Sequence, residues 1–153
     1  MRFLIRSATA EDAEAIGELA REFADYLRAL GDPSDLGFDA ETYLRDGFGP
    51  NPAFSGLVAE SGGEILGYLL YHPGYEMDNA ARILHIIDLY VRERWRRQGA
   101  GRALMEAAAN ICRQLGGTQL FWLVYVRNKL AFAFYESVGA RYTKDLKFMR
   151  LDV

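Results

Sequence analysis

The pattern of apolar residues and turn residues along this chain predicts the order of its helices and strands. From Ala13 to Leu30 they return every three or four residues, which predicts an amphipathic helix with one buried stripe. The stripe consists of Ile16, Leu19, Ala20, Phe23, Leu27 and Leu30. Thr9 and Asp12 stand where an N-cap and an acidic first turn begin such a helix. A short β-like run, Arg2 to Arg6, precedes them.

The middle of the chain predicts an antiparallel meander of three strands. The strands are Phe54 to Glu60, Ile65 to His72, and Arg82 to Val91. A link with two glycines, Ser61 to Glu64, joins the first two strands as a β-hairpin. Pro73 to Ala81 is polar and rich in turn residues, so we expect a loop there. Ahead of the meander, Asp39 is the expected cap of a short helix from Ala40 to Asp46.

The last third predicts two more helices and two more strands. A helix from Gly101 to Leu115 ends at a pair of glycines. Thr118 to Val126 is almost continuously apolar, which is typical of a strand buried on both faces. A helix from Leu130 to Val138 follows, and Arg141 to Val153 supplies a final strand or hairpin pair. The order β-α-α-β-β-β-α-β-α-β predicts one α/β domain, residues 1–153, with a mixed sheet and helices on both faces.

Composition narrows the class of protein. Hydrophobic residues are 50% and charged residues 25% of the 153, which is typical of a globular protein. The net charge of -3 offers no domain-wide basic surface, so we expect no nucleic-acid partner. No apolar run approaches the ~18 residues of a membrane helix, so we expect no membrane partner. The single cysteine, Cys112, fits a reducing compartment, so we expect a cytoplasmic protein.

The candidate functional residues are concentrated between Ile83 and Ala108. Asp88 lies inside a hydrophobic strand, where an acid is rarely placed for packing. A basic turn, Arg92 to Gln98, follows, and then Gly99-Ala100-Gly101 leads into a strong helix former. A strand, a glycine turn and a helix start in that order present backbone N–H groups to a phosphate.

Four interpretations of the glycine turn compete. A dinucleotide-binding fingerprint requires a third glycine where Leu104 stands. A Walker loop requires a lysine and a hydroxyl residue after the second glycine, where Arg102 and Ala103 stand. The turn could also merely admit the chain into the helix. The remaining interpretation is a cradle for the pyrophosphate of coenzyme A.

Three motifs resemble the GNAT superfamily of N-acetyltransferases. Arg96 to Gly101 resembles its R/Q-x-x-G-x-G/A motif, and Asn128 to Ala140 resembles N-x-x-A-x-x-F-Y-x-x-x-G-A. Ile5 to Asp12 resembles the usual opening of the family. The resemblance implies a mixed, mostly antiparallel central sheet with helices on both faces and a splay between strands 4 and 5. It also implies acetyl-CoA as co-substrate and no metal.

The resemblance also implies roles for individual residues. Tyr135 is the expected general acid, and Asp88 is the expected amine-binding residue or general base, with His85 as an alternative proton acceptor. The residues expected to bind the cofactor are Leu89, Tyr90, Val91, Arg96, Arg97, Gln98, Gly99, Ala100, Gly101, Arg102, Asn128, Ala131 and Phe132.

Further motifs resemble the diamine branch of this family, the spermidine/spermine and thialysine acetyltransferases. They are Asp46 to Gly49, Leu57 to Glu60, Asp88 to Val91, and Phe121 to Val124. In that branch two adjacent acids end the central strand, whereas this chain has Ile87 in place of the first. The expected substrate is therefore a primary amine of a small molecule, with polyamines in question. The branch also implies a homodimer, with which the apolar residues Phe148, Met149 and Leu151 are compatible.

Two other functions remain open at this point. An acyl-CoA-binding regulator with weak or no catalysis would need the cofactor cradle but not the lost acid. A member of the family acting on a protein amine would use the same chemistry on a larger substrate.

Overall fold

A computed structural model describes residues 3–153. By its contacts the chain divides into a unit that ends at Leu123 and a second unit, Val124–Val153. The elements of the first unit are β1 (Leu4–Ser7), α1 (Ala13–Ala29), α2 (Ala40–Phe48), β2 (Ser55–Ser61), β3 (Glu64–Glu76), β4 (Ala81–Val91), α3 (Ala100–Gln114) and β5 (Gly117–Phe121). Short 3-10 turns at Ala10–Asp12 and Glu93–Trp95 precede α1 and α3. The second unit contains α4 (Lys129–Ser137).

The five strands form one sheet in chain order, β1-β2-β3-β4-β5. The first four are antiparallel to their neighbours, and β4 with β5 is the one parallel pair. Among the described helices, none is long and apolar enough to cross a membrane. The α/β class and the mixed, mostly antiparallel sheet are confirmed.

Helices cover both faces of the sheet because its strands alternate. Val58, Tyr68 and Tyr90 are paired across β2, β3 and β4 and are buried in one core with Ile16 and Leu19 of α1. Their sequence neighbours point to the opposite face. That face packs against α3, whose buried residues include Leu104, Met105, Ala108 and Cys112. The predicted arrangement of helices is therefore confirmed.

The predicted loop from Pro73 to Ala81 is wrong in its extent. β3 continues through this proline to Glu76, and only the residues between Glu76 and Ala81 turn. A proline is tolerated here because the pairing of β3 with β2 ends at Tyr71, so its missing N–H breaks no ladder on that side. The turn-forming residues therefore led to a wrong prediction in the part of β3 that has no partner in β2.

The two C-terminal strands also differ from expectation. Thr118 to Val126 was predicted as a strand buried on both faces, but β5 stops at Phe121 and most of its side chains are exposed. It is the last strand of the sheet, so only β4 pairs with it. Arg141 to Val153 forms no strand in the structure. Its side chains are exposed, and no described strand pairs with it.

The start of the chain is anchored by a partly buried ion pair. The guanidinium of Arg6 donates to both carboxylate oxygens of Asp12, at 2.8 and 2.9 Å, and to Glu60 at 2.7 Å. Asp12 also accepts from the backbone N–H of Thr9 at 2.8 Å. The Arg6 guanidinium lowers the pKa of Asp12 despite its burial. β1, β2 and the start of α1 are thereby joined.

We predict that Asp12→Ala lowers the free energy of unfolding at pH 7 by about 2–3 kcal/mol, because it leaves Arg6 without its main partner. The pKa of Asp12 is lowered in the folded state, so this stabilisation is complete above the unfolded pKa of about 3.9 and declines as the pH falls below it. Urea unfolding at pH 7 and pH 3 measures both effects. Asp46→Ala, which breaks an exposed pair with Arg45, is the control and should cost much less. Equal losses in the two variants would contradict the assignment.

Candidate active site

An extra residue in β4 determines how the central strands present their side chains. β3 and β4 are in register until Leu70 faces Asp88, after which Tyr71 faces Ile86 and His72 faces His85. Ile87 has no residue opposite it, so it is the additional residue of a β-bulge.

The bulge brings Asp88 and His85 to one face of the sheet. Leu70 and His72 are two residues apart on β3 and therefore share a face, and so do the residues paired with them. In a regular strand, residues three apart point to opposite faces. Without the bulge, one of these two groups would point toward α3.

Tyr68 is the hydrogen-bond partner of Asp88. Its hydroxyl donates to Oδ2 of Asp88, which lies diagonally across the two strands on the same face. Burial raises the pKa of Asp88 to about 6, although the Tyr68 hydroxyl and the Leu89 N–H both favour the ionised form. A carboxylate with this pKa is mostly ionised at neutral pH yet is a better proton acceptor than a solvated one.

The rest of this face is aromatic and apolar. The rings of His72 and His85 have their centroids 4.9 Å apart, and the His85 ring lies 5.9 Å from that of Phe121. Ile87, the unpaired residue of the bulge, is 44% exposed, so a hydrocarbon side chain stands where the resemblance led us to expect an acid next to Asp88. Burial and the nearby His72 lower the pKa of His85.

The parallel pairing of β4 with β5 is short. It ends where His85 faces Phe121, whereas β4 continues to Val91. From Ile86 onward, no described strand pairs with β4 on that side, which agrees with the expected splay. Leu89, Tyr90 and Val91 lie in this open part of β4 and pair only with β3.

The basic turn and the start of α3 form a concave backbone. Arg97 and Gly99 both have positive φ, +62° and +90°, so the turn contains two left-handed residues. The first bond within α3 runs from the N–H of Ala103 to the carbonyl of Gly99, at 2.9 Å. The N–H groups of Ala100 and Gly101 precede that bond and lie at the positive end of the helix dipole. This geometry is suited to binding phosphate.

The side chains of the turn have different environments. The Nε of Arg96 donates to the carbonyl of Val91 at 2.9 Å, and its guanidinium lies over the rings of Tyr26 and Tyr90 at 5.3 and 5.4 Å. Arg96 therefore links the turn to α1 and β4. The side chains of Arg97, Gln98 and Arg102 are exposed.

The expected residues of the second unit lie around the start of α4. Asn128 is buried, and its side-chain oxygen accepts from the N–H of Ala131 at 3.2 Å, so it caps this helix. The ring of Phe132 packs against Tyr142. Tyr135 is half-buried, with its ring beside that of Phe134.

Sequence reasoning missed Tyr68 and His72. Tyr68 stands in an apolar run, where a tyrosine is usually placed for packing, and its partner lies on another strand. His72 ends a predicted strand, and only the register shows that it faces His85. Among residues 3–153, no group of three or more His, Cys, Asp or Glu side chains is arranged to hold a metal ion.

The family model described as Acetyltransferase (GNAT) family matches residues 13–140. Thialysine N-epsilon-acetyltransferase of Sus scrofa is 34% identical over 146 residues, covering 90% of this chain and 84% of the relative. Spermidine/spermine N(1)-acetyltransferase-like protein 1 of Homo sapiens is 31% identical over 145 residues, covering 90% of this chain and 20% of that protein. The resemblance to the diamine branch is confirmed.

Among solved structures, aminoglycoside N-acetyltransferase AAC(6')-Iy in complex with CoA has the same fold. Its TM-score is 0.79 at 15% identity, covering 99% of this chain and 96% of that chain.

We predict that Asp88→Asn stabilises the protein above pH 6 by about 3 kcal/mol, because it removes a buried charge. The folded pKa of Asp88 is raised to about 6 from 3.8, so the folded state binds the extra proton between these values. The stability of the unaltered protein therefore falls as the pH rises from about 4 to about 6. Urea unfolding at pH 4 and pH 8 measures the difference, which should be small at pH 4. A variant less stable than the parent at pH 8 would contradict this account.

Proposed function

The chain belongs to the acetyltransferase (GNAT) family, and on that premise we propose that it moves the acetyl group of acetyl-CoA to a primary amine of a small molecule by direct attack. Membership of this family makes the chain an acyltransferase enzyme. The observation that carries the finer proposal is the unit formed by β4, the basic turn and α3. A carboxylate with a raised pKa lies on its strand, and a turn with two left-handed residues, suited to binding phosphate, leads into its helix.

The turn fits the pyrophosphate of the co-substrate. A Cβ on Gly99 would lie 3.9 Å from the ring of Phe3, so space is not what requires glycine there. Glycine is favoured because its backbone is left-handed, a conformation that other residues rarely adopt. That conformation also aims successive N–H groups into one concavity. In this proposal the backbone from Arg97 to Gly101 holds the pyrophosphate, and the exposed guanidinium groups of Arg97 and Arg102 add charge-assisted hydrogen bonds.

The strand supplies the amine side of the reaction. Acetyl-CoA supplies the acetyl group as an activated thioester. A primary amine with a pKa near that of lysine, about 10.4, arrives as ammonium and must lose a proton before it can attack. The ionised Asp88 attracts this ammonium and accepts its proton, directly or through a water molecule, while the Tyr68 hydroxyl keeps the carboxylate oriented.

The second unit supplies the thiolate side of the reaction in this proposal. Tyr135 holds its proton on the phenol oxygen at neutral pH and donates it to the departing sulfur. Asn128, which caps α4, fixes the helix that carries Tyr135, and Ala131 and Phe132 on the same helix contact the cofactor. Leu89 to Val91 bind the pantetheine arm through their backbone groups where β4 is open.

We predict that Tyr135→Phe lowers kcat by about 10²-fold and leaves the KM for acetyl-CoA within about twofold, because it removes only the proton donor. Release of free CoA in the presence of an amine panel measures both constants. Tyr142→Phe, which alters an exposed tyrosine of the same unit, is the control. Equal rates in the parent and Tyr135→Phe would exclude the acid role. A parent protein that binds acetyl-CoA but acetylates no amine would instead identify an acyl-CoA-binding regulator.

We predict that Gly99→Ala raises the KM for acetyl-CoA about tenfold, because alanine disfavours the left-handed backbone by about 1–2 kcal/mol and displaces the N–H groups of the turn. Gly116→Ala is the matched control. Gly116 also has a left-handed backbone, φ +80°, but it ends α3 far along the chain from the turn. Its substitution should lower stability by a similar amount without changing this KM. An unchanged KM in Gly99→Ala would show that the turn does not bind the co-substrate.

A further inference from the structure

Three rings form an aromatic row, His72, His85 and Phe121, on the face of the sheet that carries Asp88. His72 of β3 faces His85 of β4 in the register, and His85 faces Phe121 of β5. The ring centroids lie 4.9 Å apart in the first pair and 5.9 Å apart in the second, which are the separations of interacting aromatic rings. The proposed acetyl transfer assigns no role to the aromatic row.

The aromatic row is held in place and is accessible to a ligand. His72 and His85 are half-buried, and Phe121 is 41% exposed. Nδ1 of His72 donates to the carbonyl oxygen of Pro73 at 3.0 Å, which orients the ring. The exposed parts of the three rings are apolar surface in contact with water, so covering them with another apolar group is favourable.

The three strands offer no basic side chain and no available acid beside the aromatic row. The only lysine or arginine in β3, β4 and β5 is Arg82, which faces Tyr75 and therefore lies on the opposite face. Glu76 shares the face of the row, but it lies about 13 Å beyond His72 along the strand and accepts from N–H groups of the turn that follows. A second charged group on a substrate would therefore lose hydration at the row without gaining a partner on these strands.

The histidines of the row do not replace the missing charge. Burial and the nearby His72 lower the pKa of His85 from its ordinary value of 6.5, so its ring is neutral at neutral pH. A neutral imidazole between a second imidazole and a phenyl ring presents π faces to a ligand. The aromatic row is thus suited to an uncharged ring.

The strands set the distance between the aromatic row and Asp88. Asp88 faces Leu70, and His72 lies two residues farther along β3 on the same face. Two residues of an antiparallel strand span about 7 Å. An amine held at Asp88 reaches the row with a ring that it carries on a short chain of methylene groups. The bulge residue Ile87, next to Asp88 in β4 and 44% exposed, adds apolar surface.

We propose that the aromatic row is a subsite for an uncharged aromatic ring at the far end of the amine, so that the preferred substrates are arylalkylamines. This inference rests on the proposed acetyl transfer and specifies its substrate class. Asp88 receives the amine, and the ring packs against His72, His85 and Phe121 in offset or edge geometry. Burial of the ring and its contacts with the row supply the preference over amines that end in a charge.

A series of primary amines that differ at the far end tests the subsite. The probes are 3-phenylpropylamine, hexylamine, 1,6-diaminohexane and 6-aminohexanoate, which end in a phenyl ring, a methyl group, an ammonium and a carboxylate. We expect kcat/KM for 3-phenylpropylamine to exceed that for hexylamine about fivefold, and those for the two probes with a charged end about tenfold or more. A value for 3-phenylpropylamine no higher than those for the other three would overturn the proposal.

Variants of the aromatic row locate the effect. Phe121→Ala and His72→Ala should each lower kcat/KM for 3-phenylpropylamine about five- to tenfold and leave that for 1,6-diaminohexane within about twofold. His72→Phe keeps a ring without an ionisable group and should retain the preference, which keeps the test valid if an alanine variant is poorly folded. Tyr75→Ala removes an exposed ring from the opposite face of β3 and is the matched control, which should change no ratio.

The outcomes separate this inference from the proposed function. Loss of the preference in His72→Phe would show that the imidazole acts through its nitrogens and would overturn the aromatic subsite. Turnover of all four probes without discrimination refutes the subsite while leaving acetyl transfer intact. An absence of turnover with every amine, together with intact acetyl-CoA binding, refutes the proposed function and the subsite with it.

Discussion

The β-bulge at Ile87 is the constraint on which the geometry of the site depends, because one extra residue in β4 changes the face of every side chain beyond it. It brings Asp88 and His85 to the same side of the sheet although they are three residues apart. The parallel pairing with β5 has already ended at His85, so the bulged part of β4 pairs on only one side. The strand can therefore present side chains on one face and open backbone at its edge.

The buried position of Asp88 has a cost in free energy and is consistent with the role proposed for this residue. Its carboxyl group is removed from water, which raises its pKa, and one tyrosine hydroxyl compensates only part of the loss. A residue chosen for stability alone would be apolar, as its neighbours on β4 are. Retaining an acid at that point is what a proton acceptor for an amine requires, since a solvated carboxylate is a much weaker base.

The basic turn is built by contacts on both sides of it. Arg92 pairs with Glu22 of α1 at 2.9 Å and with Glu64 of β3 at 2.8 Å, so the residue that begins the turn is fixed to a helix and a hairpin. Arg96 is fixed by a carbonyl and two tyrosine rings. The segment between Arg96 and α3 is thus clamped at its start and ends in a helix, and its left-handed residues are held in a conformation that an isolated loop would rarely keep.

The sequence alone determined the elements with strong local signals and the glycine turn that we propose as the phosphate site. Helical periodicity located α1, a run of helix-forming residues ending at a glycine pair located α3, and apolar runs separated by turn residues located β2 to β4. The glycine turn with its basic residues predicted the cradle. Each of these signals is read from residues close together in the chain. Local signals failed at Pro73, which lies in a strand because the pairing of β3 with β2 has already ended. They also failed at the apolar run after Gly117, because its burial depends on elements that are distant in the sequence.

Only the tertiary structure decided which groups surround Asp88. The bulge, the Tyr68 partner of Asp88 and the meeting of His72 with His85 all arise from the register between strands, which a single sequence does not encode in any local pattern. A shift of one residue in that register would exchange the two faces of β4. The sequence therefore identified Asp88 as a candidate functional residue, whereas the alignment of β3 with β4 determined which groups surround it.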